Sequence, residues 1–462
     1  MPLWHKVVLY IGLILVISPV VIALINVRDR KLDVNAGARL RQGAAPVQDA
    51  SNAVFAFYGS AIPAGQDPQS FGLNYVETAN ELLRAIDEDK PFDQNKLKTL
   101  DQQLKAVPWV GNAKNLCNDT NKDPGDCLHY FAAHPGEITQ LAHDNTLRLA
   151  RYRALYAYPA YADRMLSRES TVYPDMQGEE HETVLGEIAI EAADGNPDAA
   201  ANDLAADTAF WRRVLAGAGT IYTKMAAARR LSENYTLASQ IAALYKSRPG
   251  LLAPMTASLS TQEKNWSAAI FADYRIQTYS YISLANYPIR QSLTVWHKPF
   301  SALMEKLFFK LNDSINLAYR YALSLQTLTT VPGYKLIAKT RAMDAQVSKA
   351  RDASALDFVY NPIGKALIRN SPLPDQFGRY VAQTVNLDGQ VRLLNLQLAI
   401  YRDKVALKNI GAYVINASGT LYQPYAYEPM NWSTASDELS FQGVSEKSKG
   451  KIVRDMKIAV KL

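Results

Sequence analysis

Residues 391–405 read VRLLNLQLAIYRDKV. Val391, Leu394, Leu398, Tyr401 and Val405 step by three, four, three and four, the spacing of a heptad seam. A helix face this regular has to pack against another helix. The seam lies in the longest amphipathic stripe of the chain, 377–408, and predicts a body built mainly of α-helices.

Upstream the same periodicity recurs. Tyr75, Ala79, Leu82, Leu83 and Ile86 repeat at helical intervals, then Leu97, Leu100 and Leu104, before Pro108 and Gly111 break the pattern. Ile138, Leu141, Leu149, Tyr152 and Tyr156 lie near one face of a helix interrupted by Pro159. A stripe of Phe210, Val214, Ala218, Ile221 and Met225 predicts a helix that starts at Asp207, with Asp207 or Thr208 as its cap. A second helix after Asn234 carries Leu237, Ile241, Leu244 and Tyr245, so the pair reads as a helical hairpin closed by Pro249, Gly250 and Pro254. Another helix begins near Ser260. One face then runs from Phe300 through Phe308 and Ile315 to Ala322, until Pro332-Gly333 stops it, and a basic helix follows over 335–352. Asn361-Pro362-Ile363-Gly364 reads as a turn into a short helix.

Downstream of Gly411 the pattern changes. Tyr413-Val414-Ile415, Leu439-Ser440-Phe441 and Lys457-Ile458-Ala459-Val460 read as short strands separated by glycine and proline. The expected fold is therefore mainly α: a single N-terminal transmembrane helix, a multi-helix soluble body of antiparallel hairpins and a small extended or β C-terminal unit. The expected organisation is a cytoplasmic tip and anchor over 1–27, a tether over 28–70, a helical body over 71–410 and the small tail over 411–462. The body would divide, if it does, near 167–206 or 249–260.

The anchor comes from Val7–Val27, an uncharged apolar run about one bilayer core long at roughly 1.5 Å per residue. It ends Leu24-Ile25-Asn26-Val27-Arg28 with no small-residue cleavage pattern, which favours an uncleaved anchor over a signal peptide. Arg28, Arg30, Lys31, Arg39 and Arg41 crowd its far side, and counted alone they would keep the body in the cytoplasm as an adaptor. The two cysteines argue the other way. Cys117 and Cys127 bracket a polar, turn-forming loop and read as a disulfide, which belongs to an oxidising compartment. The expected placement is the inner (cytoplasmic) membrane, single-pass, with the bulk of the chain periplasmic.

Composition excludes more than it identifies. Net charge is +6 over 462 residues without a long basic run, so nucleic-acid binding has no support. Twenty-six tyrosines suit contact surfaces and sealed helix packing. No phosphate-binding loop stands here: Ile363-Gly364-Lys365-Ala366 lacks the hydroxyl and the upstream glycine. There is no H-E-x-x-H, no C-x-x-C-H and no G-x-S-x-G. His129, His134 and His143 are not at converging spacings, so no metal site and no cofactor are expected. Glu179, Glu180 and Glu182 beside His181 form the densest acidic cluster, in a stretch punctuated by Gly178, Gly195 and Pro197 that reads as a solvated loop. No catalytic residue is assigned.

Two stretches, FFKLNDSINL (308–317) and YNPIGKAL (360–367), followed by Arg379-Tyr380-Val381 and LDGQVRL (387–393), resemble a group of uncharacterised signal-anchored periplasmic proteins of Gram-negative bacteria. The tail PYAYEPMNW (424–432) is similar to the ending that follows the long helix in pseudopilin-like proteins, where a glycine is usual at the place of Tyr427. The resemblance implies structural motifs and an envelope address, and it carries no catalytic residue. The leading expectation is a membrane-anchored, non-catalytic scaffold or assembly protein of the bacterial envelope, with the lipid bilayer and other envelope proteins as partners. The rival is a periplasmic helical hydrolase that acts on cell-wall material through dispersed carboxylates such as Glu179, Glu182 and Asp388.

Overall fold

The computed structural model describes residues 21–22, 24–41, 49–87, 94–113, 126–163, 178–286, 307–351, 359–369, 374–446 and 452–462. These residues form seventeen α-helices, short 3-10 turns and one small sheet. The helices are α1 Val34–Arg41, α2 Ala53–Tyr58, α3 Pro68–Asp87, α4 Gln94–Gln103, α5 Cys127–Ala133, α6 Pro135–Asp144, α7 Thr146–Ala154, α8 Gly178–Ala193 and α9 Pro197–Gly217. They continue as α10 Ile221–Leu244, α11 Thr261–Lys264, α12 Ser267–Asn286, α13 Leu311–Thr329, α14 Gly333–Arg351, α15 Pro362–Arg369, α16 Pro374–Arg402 and α17 Ile410–Ile415. The strands β1 Asn431–Ser433, β2 Glu438–Glu446 and β3 Ile452–Lys461 pair antiparallel in sequence order. The mainly helical class with a small C-terminal sheet is thus observed.

The seam packs as its spacing requires as far as Leu398; Tyr401 is partly buried, and Val405 lies beyond the helix end at Arg402. Leu387, Val391, Leu394 and Leu398 of α16 are buried in a first core formed mostly by residues 53–259. Phe377, Val381, Leu393, Leu396 and Ile400 of the same helix are buried in a second core that includes α12, α13, α14 and the sheet. One helix therefore forms a wall of both cores. Gly389 lets the sheet approach it: a Cβ there would meet Phe441 Cζ at 2.3 Å.

Residues 53–62, expected to be part of a tether, are core. All six residues of α2 are buried, and the Asn52 side chain accepts from Val54 N (3.3 Å) to cap it. The helix packs against α3 so closely that a Cβ on Gly72 would meet Phe55 O at 1.8 Å. Five apolar residues in a row carry no period, so their packing partner is not readable from the stretch itself.

The α9–α10 hairpin is observed, with shifted boundaries. Helix α9 begins at Pro197, a proline favourable in the first turn, so Asp207 and Thr208 stand buried inside it and cap nothing. The chain reverses at 218–220, where Thr220 caps α10 by accepting from Thr223 N (3.1 Å). Asn234 lies in the middle of α10. The orphan carbonyls at the end of α9 gain an unusual donor: buried Lys224 reaches Leu215 O with its Nζ at 2.7 Å. Ser260 and Glu263 form a reciprocal capping box at the expected start, but the helix expected to run on through Trp266 and Phe271 stops at Lys264, where Asn265 is extended, and α12 begins at Ser267. Tyr413-Val414-Ile415, expected as a strand, belongs to α17, because Ile410 and Val414 at i, i+4 bury one helical face together. Tyr427 adopts φ +57°, the left-handed region a glycine enters without steric cost.

No helix among the described residues is long and apolar enough to cross a membrane. Residues 1–20 and 23 of the expected anchor lie outside the described residues, as does Cys117. The segment just past the apolar run is described, and it is clamped to the body. Asn26 donates to Val359 O (2.5 Å) and accepts from Asn361 N (2.9 Å). Asp29 accepts from Asn312 N (2.8 Å) and Asp313 N (3.2 Å) at the start of α13, and Arg30 pairs with Asp313 (3.0 Å). Asn361, at φ +52°, holds the other side by accepting from Lys310 N and Gly364 N while donating to Asp313 and Ser314. The stretches 308–317 and 360–367 that carry the family resemblance meet at this clamp.

A candidate binding cleft above a buried ionic network

Helix α8 replaces the solvated loop expected around residue 180. Glu180, His181 and Glu182 are all buried. Residues four apart on one helix share a face, and three consecutive ones point three ways. Here each direction meets its own counter-charge or acceptor. Glu180 accepts from Arg148 Nε of α7 (2.7 Å). His181 Nδ1 lies 3.2 Å from Asp207 Oδ2 on α9, and its Nε2 lies 3.3 Å from Glu233 Oε2 on α10. Arg230 stands between Glu233 (2.9 Å) and Glu182 (3.9 Å).

Asp207 is the hub. It accepts from Tyr152 Oη (2.6 Å), Tyr156 Oη (2.8 Å) and Asn234 Nδ2 (2.7 Å), and Trp211 Nε1 donates to the Tyr152 hydroxyl (2.8 Å). Burial alone would raise its carboxyl, but the His181 charge and the converging donors hold it below the usual range. Burial likewise works against the His181 imidazolium, yet the Asp207 charge and the hydrogen bonds of both carboxylates raise it overall. Glu233 is pushed far below the ordinary carboxylate range: hydrogen bonding to His181 and the charge of Arg230 overcome its burial. Burial, and then the Asp207 charge, drives Tyr152 and Tyr156 well upward, so both stay neutral donors.

Glu182 and Glu233 border a cleft of about 690 Å³. Helix α10 contributes Arg229 and Ser232 to its lining, and β3 contributes Lys457 and Ala459. Helix α16 adds an amide row, Gln383, Asn386 and Gln390, at spacings of three and four. Asn386 is fully engaged: it bridges Val444 N and O and accepts from Tyr425 Oη. The Oε1 atoms of Gln383 and Gln390 are buried and have no hydrogen-bond partner. Unmet buried acceptors are costly and uncommon.

The acids that a hydrolase would use do not converge. Only Glu182 of the three reaches this cleft. Asp388 borders a separate pocket of about 230 Å³, where Lys264 (2.7 Å) and Arg392 (2.6 Å) neutralise it. Glu179 stands in the first turn of α8, and its carbonyl accepts from Thr183. His134 stacks on Tyr130 at 4.4 Å, and His143 lies beside Asp144. No group of three His, Cys, Asp or Glu among the described residues could hold a metal ion. Cys127 opens α5 at the cleft, and no described cysteine is a free thiol. Its expected bond to Cys117 falls outside the described residues. Glu233 and the two glutamines have no recognisable role in the sequence alone, and Asp207 reads there only as a helix cap. Only the 3-4 spacing of the amide row is a usable signal there.

Comparison with known proteins gives no match: no family model, no curated protein and no solved structure matches the chain.

Proposed function

We propose that this chain is a membrane-anchored envelope protein whose periplasmic body binds other proteins and catalyses no reaction. The observation that supports it is the state of the cleft. Its acids are already matched with cations: Glu233 with His181, Arg229 and Arg230, and Glu182 near Arg230. A general acid needs a carboxyl that holds a proton near neutral pH, and Glu233 is held far from that condition. The rest of the lining is apolar, amide and hydroxyl, with Lys457 paired to Glu438. The anchor, the Cys117–Cys127 disulfide and the periplasmic address belong to this proposal and rest on the apolar run and the cysteine loop.

An alkaline phosphatase fusion after Leu462 is expected to be active, and native material is expected to carry no free thiol. Co-purification after in-cell crosslinking is expected to return other envelope proteins. Recovery of this chain alone, as a monomer, would sink the reading. The hydrolase alternative keeps one observation in its favour, two glutamates at one cleft. Turnover of cell-wall material that disappears in Glu182→Gln would establish it instead.

A further inference from the structure

Tyr427 keeps its left-handed backbone although its side chain is mostly exposed, so no core packing explains a tyrosine there. The loop around it fixes the conformation: Gln423 N donates to Glu428 O (2.8 Å), Gln423 Nε2 to Pro429 O (2.7 Å) and Tyr427 N to Gln423 O (3.2 Å). Strained residues of this kind concentrate at ligand sites. The Tyr427 ring meets that of Tyr334, also exposed, at 6.0 Å and 69°. Both tyrosines border the pocket of about 230 Å³ that holds Asp388.

Four separate segments build this pocket. Lys264 comes from the end of α11, Val331 and Pro332 from the turn between α13 and α14, Asp388 and Arg392 from α16, and Pro424 and Tyr427 from the tail. Two cations against one carboxylate leave its lining net positive. Asp388 is nearly sealed, and both its oxygens are taken, Oδ1 by Lys264 (2.7 Å) and Oδ2 by Arg392 (2.6 Å). The cations stay open: the Lys264 side chain is 41 % exposed and that of Arg392 24 %. Each has N–H groups to spare. Arg392 gives one to Asp388 and one to Tyr422 O (2.9 Å), and Lys264 gives one to Asp388.

The rest of the lining specifies what accompanies an anion. Val331, Pro332, Val381, Val385 and Pro424 are apolar, and the Thr329 and Thr384 hydroxyls already donate to Gln326 O (2.9 Å) and Val381 O (2.8 Å). A sugar acid would bring a row of hydroxyls that such walls do not match. The volume is below the about 300–1,000 Å³ usual for whole small-molecule ligands, so it suits one residue-sized group. The last residue of a polypeptide carries a single-charged carboxylate and a side chain on the same carbon.

We propose that this pocket binds the carboxyl-terminal residue of a partner polypeptide, its carboxylate on Lys264 and Arg392 and its apolar side chain against Val381 and Val385. The inference rests on the protein-binding reading and names what is recognised. Asp388 holds the two cations side by side, and the exposed rings of Tyr334 and Tyr427 extend the apolar contact at the rim.

The test uses the full chain in lipid nanodiscs and hexapeptides with fluorescein on the N-terminus. Their sequences are randomised except for the last residue, which is each amino acid in turn. Binding read by anisotropy is expected only for pools that end in an apolar residue. Amidation of their carboxylate is expected to weaken them about tenfold or more, because it removes the charge that the two cations meet. Lys264→Met leaves Asp388 with Arg392 and is expected to weaken the same peptides about tenfold. Tyr427→Gly covers the case in which that variant does not fold. It removes the ring and the strained φ together, so binding is expected to fall several-fold while the melting temperature does not drop. Equal binding of acids and amides, no preference at the last position, or full affinity in both variants would overturn the proposal. So would 4-methylpentanoate competing as tightly as the peptides bind, since a free small acid would then be the ligand. If no terminus binds while in-cell crosslinks still return partners, protein binding stands and this pocket is not its site. Glu182-dependent turnover of cell wall would remove the underlying reading itself.

Discussion

The two cores bury polar groups of opposite kinds. The first encloses ions: His181, Asp207, Glu233, Arg230 and Lys224. The second uses mostly neutral groups, with Asn26, Asn361, Ser314, Thr384 and Asn386 tying chain to chain. Both arrangements find partners for most of the polar groups they bury. They differ in what happens when a partner is lost or the pH changes. An ion without its counter-charge is stranded at high cost, whereas an amide loses only hydrogen bonds.

The largest expected effect breaks the ionic side. Asp207→Ala leaves the His181 charge, two tyrosine hydroxyls and Asn234 without their shared acceptor, and should cost about 3–5 kcal/mol in urea unfolding. Asn361→Ala is the counterpart on the neutral side. It removes four hydrogen bonds and places alanine at a positive φ, for an expected loss of about 2–3 kcal/mol. If Asn361→Ala proved the costlier of the two, the contrast between the cores would be wrong.

Acidity sharpens the comparison. Asp207 and Glu233 are held below their unfolded values, so their stabilisation is in place above about pH 4.5 and fades as acid is added through the lower folded values. His181 is raised, so its share is complete below about pH 6.5 and is lost as pH climbs through its folded value. The ionic core should therefore be firmest between roughly pH 5 and 6.5. Lys224 opposes the alkaline decline. Burial lowers it to about 7, so from there to about pH 10.4 the unfolded chain binds the extra proton and stability from this group rises with pH. Urea midpoints of Lys224→Met should accordingly fall more steeply above pH 7 than those of the parent. In Asn361→Ala the whole profile should drop without changing shape, since amides do not titrate. The smallest effect is on the surface: Arg248→Ala breaks the exposed pair with Asp198 and should leave the midpoint unmoved.

Much of the helical architecture is legible in the sequence because a buried helix face repeats every three or four residues. The seam from Val391 to Leu398, the Ser260 start and the Pro332-Gly333 stop need no knowledge of their neighbours. Expectation and structure part where a residue's meaning depends on a distant chain. Asp207 resembles a cap because acids favour helix starts, and only the approach of α7, α8 and α10 makes it a hub. The Glu179–Glu182 cluster reads as solvated because nothing nearby in sequence supplies Arg148 or Arg230.

Helix α16 has 29 residues and gives its side chains to both interiors. Neither half of the molecule is thus a severable module. Deleting this one rod would strip a wall from each compartment at once, and heat should melt them in a single cooperative step. A gene split upstream of residue 374 would leave its first fragment without a surface to close on, so inheritance of either half alone would convey no working part.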